Sequence, residues 1–406
     1  MTTINNNKSS KGGKVVVIGG GFAGLEVIAC LAKANTNADL VLIDVKPYFE
    51  YIPKLSLDVI ANVRGVDTAE NAAEGAFMKN TLSLGNSKAL TNDVGVKMCM
   101  AVSSVSPLTR TVTYKDLTGM SISLEYDYLV VSSGCSYPPP VGINPNEKSL
   151  TVGSRLAALS NTINDVRKAE TILIIGGGFV GVEIAGELLA VIPKSKKVHF
   201  VVGKSGFLPN GSKSQKKYLE DFFKGFENVI IHYDRGEITA GGNATGPVTC
   251  KLLSSGEMIK CDAYLQCTGL SKPNTSFLEG CGVELSSRGF VETNDRLQAI
   301  MKNGDDSSIF AAGDVRSKSN DEYYAQHAIE EGASISGNIA KLLKSKSNAK
   351  LAAYKVGPGG TYAISLGPSD GFFSMMGYMI LWGRIVPKMK WMIRKILISM
   401  KPYSPH

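Results

Sequence analysis

VVVIGGGFAGLE at residues 15–26 returns as ILIIGGGFVGVE at residues 172–183. In each copy a run of β-branched and aliphatic residues predicts a buried parallel strand, a GxGxxG loop follows, and the next residues have helical spacing. In the first loop Gly19 permits the tight turn, Gly21 lets the backbone approach a pyrophosphate, and Gly24 lets the helix pack closely on its strand, while Phe22 and Ala23 open that helix. Gly176, Gly178 and Gly181 take the same places in the second loop. One such loop also serves plain strand-to-helix packing. Two in register, each between strand and helix, predict two dinucleotide sites.

The likeness extends past the loops. TVTYKDLTGMSISLEYDYLVVSSG (111–134) follows the first unit and VTCKLLSSGEMIKCDAYLQCTG (248–269) the second. Both read as a hairpin and then a short strand, opened by Asp127 or Asp262 and closed by a small-residue turn at Gly134 or Gly269, so a whole nucleotide-binding module is duplicated. The copies differ at the tip of the second strand, where a carboxylate binds adenosine ribose hydroxyls. LVLIDVK places Asp44 there in the first copy, and Lys46, with Phe22, Ala23, Gly134 and Gly269, joins the expected cofactor-binding set. VHFVVGKSGF has no acid at its tip and ends in Gly203, Lys204 and Ser205. Lys204 either tolerates a 2'-phosphate, so that NADPH serves at least as well as NADH, or is a solvated loop residue.

The composition, 44% apolar and 20% charged, suits a chain with room for two or three domains. Its net charge is +8, but Arg384, Lys388, Lys390, Arg394, Lys395 and Lys401 lie after residue 371 with no acid among them. About +2 is left for the rest, too near neutral for a nucleic-acid groove. The seven cysteines show no CxxC or CxxxxC spacing and no histidines at ligand spacing, which argues against a disulfide scaffold or a metal site and for a reducing compartment. Residues 1–13 read as a polar, disordered tail, and Thr2 stands where myristoylation needs glycine.

A late strand ending in Gly313 and Asp314, SSIFAAGDVR, completes a motif set that resembles the two-dinucleotide-binding flavoprotein oxidoreductases. The resemblance implies FAD on the first loop, NADH or NADPH on the second, and Asp314 on the ribityl chain of FAD. DVKPYFEYIP, GGGFVGVE and SLGPSDG (365–371) are similar, within that superfamily, to the apoptosis-inducing-factor-like, ferroptosis-suppressor type of NAD(P)H:quinone oxidoreductase, and next to the type II NADH dehydrogenases. The missing N-terminal glycine departs from the myristoylated animal members. The resemblance further implies that Glu183 contacts the nicotinamide ribose region. It also implies that a helix opening at Ala325, Gln326 and His327 turns its free amides to the flavin, with Gln326 or His327 bordering the acceptor path. Glu183 equally suits a plain helix start, since the macrodipole favours an acid there and Glu26 holds the same place in the first copy. His327 equally suits a packed or solvated position. Tyr48, Phe49 and Tyr51 follow Asp44 as wall or core of the first site. Disulfide reductases of this fold carry a cysteine pair shortly after the first acid, whereas residues 45–98 contain none. Electrons then pass directly to a diffusible acceptor, for which the family's usual choice is a quinone.

FFSMMGYMILWG (372–383) is too short to span a bilayer. After Pro387 a helical projection puts Met389, Met392, Ile393, Ile396 and Met400 on one stripe, flanked by Lys388 and Lys395 on one side and by Lys390, Arg394 and Lys401 on the other. Interfacial helices place snorkelling cations this way, although Trp391 and Ile398 interrupt the polar face. The segment either attaches to an anionic membrane surface, as an appendage whose removal leaves the redox body working, or docks on the body or in a homodimer interface.

The expected fold is α/β, with two Rossmann-like dinucleotide-binding domains, the second inserted in the first, and a C-terminal segment. Residues 14–144 and 269–345 form the FAD domain, 145–268 the NAD(P)H domain, and 346–406 a membrane-interfacial segment. The expected function is FAD-dependent electron transfer from NAD(P)H to a membrane quinone, in a cytoplasmic protein held peripherally on a membrane, with a mitochondrial surface or a lipid droplet as candidates. The rivals are an NAD(P)H-dependent reductase of an electron-transfer protein and a death-signalling flavoprotein in which FAD is structural. No metal and no nucleic-acid partner are expected.

Overall fold

The computed structural model describes residues 12–400 except 35, 85–93, 140, 143–149, 242–244, 270–271, 305, 307, 319–322, 346–348 and 358–359, and omits the side chains of 393–400. Most of the expected N-terminal tail and the expected boundary at 144/145 lie outside the described residues.

The first module contains β1 (Lys14–Ile18), α1 (Phe22–Lys33), β2 (Asp39–Asp44), β3 (Tyr48–Glu50), α2 (Ile52–Ala61), α3 (Ala69–Asn80), β4 (Thr81–Ser83) and β5 (Val94–Met98). Then come β6 (Ala101–Ser106), β7 (Thr111–Lys115), β8 (Ser121–Glu125), β9 (Tyr128–Val131) and β10 (Cys135–Ser136). The second module contains α4 (Val152–Lys168), β11 (Thr171–Ile175), α5 (Phe179–Val191), β12 (Lys197–Val201), α6 (Lys213–Lys224), β13 (Val229–His232), β14 (Gly236–Gly241), β15 (Val248–Leu252), β16 (Met258–Cys261) and β17 (Ala263–Gln266). The chain returns through β18 (Lys272–Pro273), β19 (Ile309–Ala311) and α7 (Ala325–Ser345), and ends in β20 (Tyr362–Ser365), β21 (Gly371–Met375), β22 (Tyr378–Trp382) and α8 (Ile385–Met400).

Two parallel sheets, β19-β9-β1-β2-β5 and β17-β11-β12-β13, repeat one topology. Their central strands β1 and β11 are covered on both faces, which is why they read as unbroken apolar runs. The hairpin expected in each copy is a three-stranded meander, β6-β7-β8 in one and β14-β15-β16 in the other. Asp127 and Asp262 play the same part in the two copies. Asp127 accepts from the Lys14 amide at 2.6 Å and Asp262 from the Thr171 amide at 2.8 Å, so each pins the start of its central strand.

The chain crosses between modules where β10 pairs antiparallel with β18. Side chains lock the crossing. Arg155, 1% exposed, donates to Glu50 at 2.7 Å and to the carbonyls of Val141 and Gly142. Burial pushes the Glu50 carboxyl up, but Lys46 and Arg155 outweigh it and hold the acid below its ordinary range. Arg167, at the end of α4, donates to the carbonyls of Asn62, Val63, Gly65 and Asp67 in the first module.

The C-terminal strands ride on the second module. Ile364 and Phe372 are fully buried in the core that also holds α5 and α6. Gln215 of α6 donates to Ser374 at 2.9 Å and Tyr218 to Asp370 at 2.6 Å. A Cβ on Gly186 would lie 2.6 Å from the Leu366 Cα, so only glycine admits that approach. FFSMMGYMILWG is therefore a hairpin with a buried inner side, and this part of the C-terminal segment is not an appendage. Helix α8 starts two residues before Pro387, which falls in the first turn, where its missing amide costs no helical bond. Val386 is buried and Lys390 half-buried, whereas Trp391 and Met392 are exposed. Of the projected stripe and its flanks, the side chains of Ile393, Arg394, Lys395, Ile396 and Met400, and residue Lys401, lie outside the described ones.

Candidate active site

Both glycine loops have the geometry that the spacing demands. Gly19 and Gly176 have φ of +100° and +117°, and a Cβ on either would lie 2.3 Å or 2.2 Å from the carbonyl oxygen of Ser132 or Cys267. A Cβ on Gly24 or Gly181 would lie 1.9 Å or 1.8 Å from the Gly19 or Gly176 carbonyl oxygen. Gly21 and Gly178 differ: each is the N-cap of its helix without a side-chain cap, and a Cβ there would meet nothing within 4 Å. Among the described residues nothing requires glycine at these two positions. The space that a side chain would fill lies at a helix N-terminus with uncapped amides, which fits the phosphates of a dinucleotide at each loop.

Asp44 ends β2, buried, and accepts from the amides of Gly20 (2.5 Å) and Lys46 (2.7 Å). Burial raises its carboxyl above the ordinary value, against the pull of the Lys46 charge and both amides. Lys46 reaches Glu50 at 3.5 Å and lies over the Tyr48 ring. Tyr48 and Phe49 are buried; Phe22 meets Phe49 and Tyr51 edge-on at 5.0 and 5.6 Å, so this aromatic run forms a wall beside the first loop. In the second module the register Ile175↔Val201, matching Ile18↔Ile43, puts Val202 where Asp44 stands, and Lys204 is exposed in the following turn. Gly134 and Gly269, after β9 and β17, both have positive φ and open space at the Cβ position.

Gly313 (φ +78°) fits between Ala23 of α1 and Ala328 of α7. Its amide donates to Glu331 at 2.7 Å, and Glu331, buried, also binds Arg316 and Lys318. The Tyr137 hydroxyl donates to Asp314, and the Cys135 thiol to the Asp314 carbonyl at 2.9 Å. Burial raises the Asp314 carboxyl although Tyr137 and Lys318 oppose it. Burial and the Asp314 charge push the Cys135 thiol far up, away from the thiolate form that makes a cysteine reactive. All seven cysteines are free.

Glu183 and its counterpart Glu26 have parted ways. Glu26 is buried, with the Cys30 thiol donating to it at 3.3 Å. Glu183 Oε1 accepts from the Ser365 amide at 2.8 Å, from the Ser365 hydroxyl at 3.1 Å, and from Lys390 Nζ of α8. Gln326 is exposed and donates to Glu330 at 2.7 Å. His327 packs on Tyr324 with ring centres 5.2 Å apart; Tyr324 meets Phe179 at 5.6 Å and Phe179 meets Tyr362 at 4.6 Å. Phe179 follows Gly178, so these rings bring together the second loop, the start of α7 and the C-terminal strands. Sequence reasoning missed Tyr137, Glu331, Ser365 and the Lys390 contact. None has a local signal, because each partner is distant in sequence.

The family model for pyridine nucleotide-disulphide oxidoreductases matches residues 13–332. Ferroptosis suppressor protein 1 of Xenopus tropicalis is 24% identical over 366 residues, covering 88% of this chain and 87% of that protein. Apoptosis-inducing factor homolog A of Dictyostelium discoideum is 27% identical, covering 88% and 84%. NDH2 from Plasmodium falciparum, solved in complex with NADH, has the same fold with a TM-score of 0.71 at 13% identity, covering 97% of this chain and 96% of that one. Some solved chains of the fold are longer, and this chain spans 61% of one of them. With a shared motif order, a duplicated module and a match over most of its length, the chain belongs to the pyridine nucleotide-disulphide oxidoreductase family.

Proposed function

We propose that this chain transfers electrons from NAD(P)H through FAD to a quinone at a membrane surface. The observation that carries the proposal is the ring contact sequence His327, Tyr324, Phe179 and Tyr362, which ties the second loop to the start of α7 and to strands whose outer face is bare. On that face Tyr378 is 74% exposed and Trp382 59%, with Met376, Ile380 and Ile385 beside them. Among the described residues no helix is long and apolar enough to cross a membrane. The bare strands and the basic, apolar α8 suit peripheral attachment to anionic lipid, on a mitochondrial surface or a lipid droplet facing the cytoplasm.

Bound FAD supplies hydride acceptance from nicotinamide and electron delivery to the acceptor. The chain holds and orients the partners. Uncapped amides behind Gly21 and Gly178 take the two pyrophosphates, Asp44 and Lys46 the adenosine end of the first site, and Asp314, held by Tyr137, the ribityl chain. The amides of Ala325, Gln326 and His327 at the α7 N-terminus favour negative charge beside the ring. Gln326 and His327 border the acceptor path, and Glu183 lies on the nicotinamide side. Val202 in place of an acid, with Lys204 exposed beyond it, removes the group that would repel a 2'-phosphate.

The test is anaerobic. Purified protein should be yellow, bleach with NADPH at least as fast as with NADH, and regain colour on adding a quinone. A colourless protein that stays empty with excess FAD, or a bleached protein that quinones leave unchanged while a small iron–sulphur protein restores it, would overturn the proposal.

A further inference from the structure

Three contacts from the C-terminal segment converge on one carboxylate of the second module. Ser365 of β20 gives Glu183 two hydrogen bonds, and Lys390 of α8, 207 residues away in sequence, gives it a charge. Glu183 lies one turn into α5, the helix that Gly178 opens. One turn further on, at i+4, stands Glu187, buried, whose carboxyl burial pushes up while Lys54 and Lys390 pull it down and Glu183 and Asp58 add repulsion. Lys54 of α2, paired with Asp58 at 2.9 Å, belongs to the first module. Two acids on one face of α5 thus stand between a lysine of the first module and a lysine of the tail.

We propose that Lys390 is a positioning residue for Glu183, and that docking of α8 and occupancy of the second dinucleotide site form one coupled equilibrium. The proposal deepens the function inferred above and rests on it. If α8 lifts, Glu183 keeps, among the described residues, Ser365 alone, and its repulsion with Glu187 at i+4 is no longer offset by the tail ammonium, which is unfavourable on a helix. Docking is therefore stabilised by the acid that faces the nucleotide. Coupling of this kind is reciprocal: whatever alters the surroundings of Glu183 from the nucleotide side shifts α8, and whatever pulls α8 shifts the nucleotide site. Trp391 and Met392, exposed directly after Lys390, give a surface contact a short path to the pair.

The experiment uses FAD-loaded, full-length protein and reads two quantities: amide hydrogen exchange over residues 386–392, and anaerobic flavin bleaching by NADH. Lys390→Met and Glu183→Gln should each speed exchange about tenfold, and the double variant no further than either single one. NAD+ should change the exchange rate of α8 at least about threefold in the wild type and leave it unchanged in Lys390→Met. Lys390→Met should also raise the NADH concentration that half-saturates the bleaching rate more than it lowers the limiting rate, and Lys390→Arg should restore both exchange and bleaching. Single effects that add in the double variant, exchange in Lys390→Met equal to wild type, or an α8 indifferent to NAD+ would each overturn the coupling. A protein that bleaches with NADH yet passes nothing to quinones overturns the acceptor and not the coupling, because both readouts precede the acceptor.

Discussion

Gly19 and Gly21 stand two positions apart and serve different masters, the fold and the ligand. A methyl group on Gly19 would press on the Ser132 carbonyl from a left-handed backbone, so Gly19→Ala should destabilise the protein by about 3 kcal/mol. Gly21 has an extended backbone and open space, so Gly21→Ala should leave the apoprotein within about 0.5 kcal/mol of wild type and yet abolish FAD retention. Gly178→Ala should keep the flavin and raise the KM for NAD(P)H at least about tenfold. Denaturant unfolding of the apoprotein, flavin absorbance per protein and steady-state kinetics separate the three; loss of fold in Gly21→Ala would refute the assignment. The spacing of these glycines is visible in the sequence because their roles are local. Tyr137 could not be found that way, since its partner Asp314 is 177 residues distant.

The central strand of the second module carries its own pH dependence through Asp262. The Thr171 hydroxyl and amide, with the Glu170 amide, hold the Asp262 carboxyl below its ordinary 3.8. A lowered folded value means that the native state binds fewer protons than the unfolded chain in acid, so the stability contributed is complete above the ordinary value and is lost as pH falls through the lowered one. Asp262→Asn should therefore show a Tm deficit that is constant from about pH 7 to about pH 5 and closes below about pH 4; a deficit that grows in acid would reverse the sign. Between modules, Arg155→Met removes the charge facing buried Glu50 and should cost about 3 kcal/mol in denaturant unfolding. The elements themselves were unevenly legible. Parallel strands showed as apolar runs and the helices after the loops as periodic patterns, whereas β20–β22 read only as a short apolar stretch, because alternation is blurred where both sides of a hairpin carry apolar residues.

Taken as one body, the protein hangs its bare aromatic face on the second module, so the proposed lipid contact and the proposed nucleotide site would share a core. Tyr378→Ser with Trp382→Ser should lower binding to anionic vesicles about tenfold or more while nucleotide still bleaches the flavin; vesicle sedimentation that is unchanged would place the anchor elsewhere. Removing residues 372–406 is not an equivalent test, because Phe372 is core. The sequence by itself determined the duplicated α/β modules, the two glycine loops, the acid of the first site and its loss from the second. Each of these depends on residues a few positions apart, where backbone conformation and side-chain period leave a readable mark. Only the tertiary structure decided that Glu183 faces Lys390, that Glu331 holds the Gly313 turn, and that the C-terminal hairpin is part of the core. Those pairings join groups that the sequence separates by 18 or by as many as 207 residues, and such a contact leaves no period or spacing in the chain that makes it.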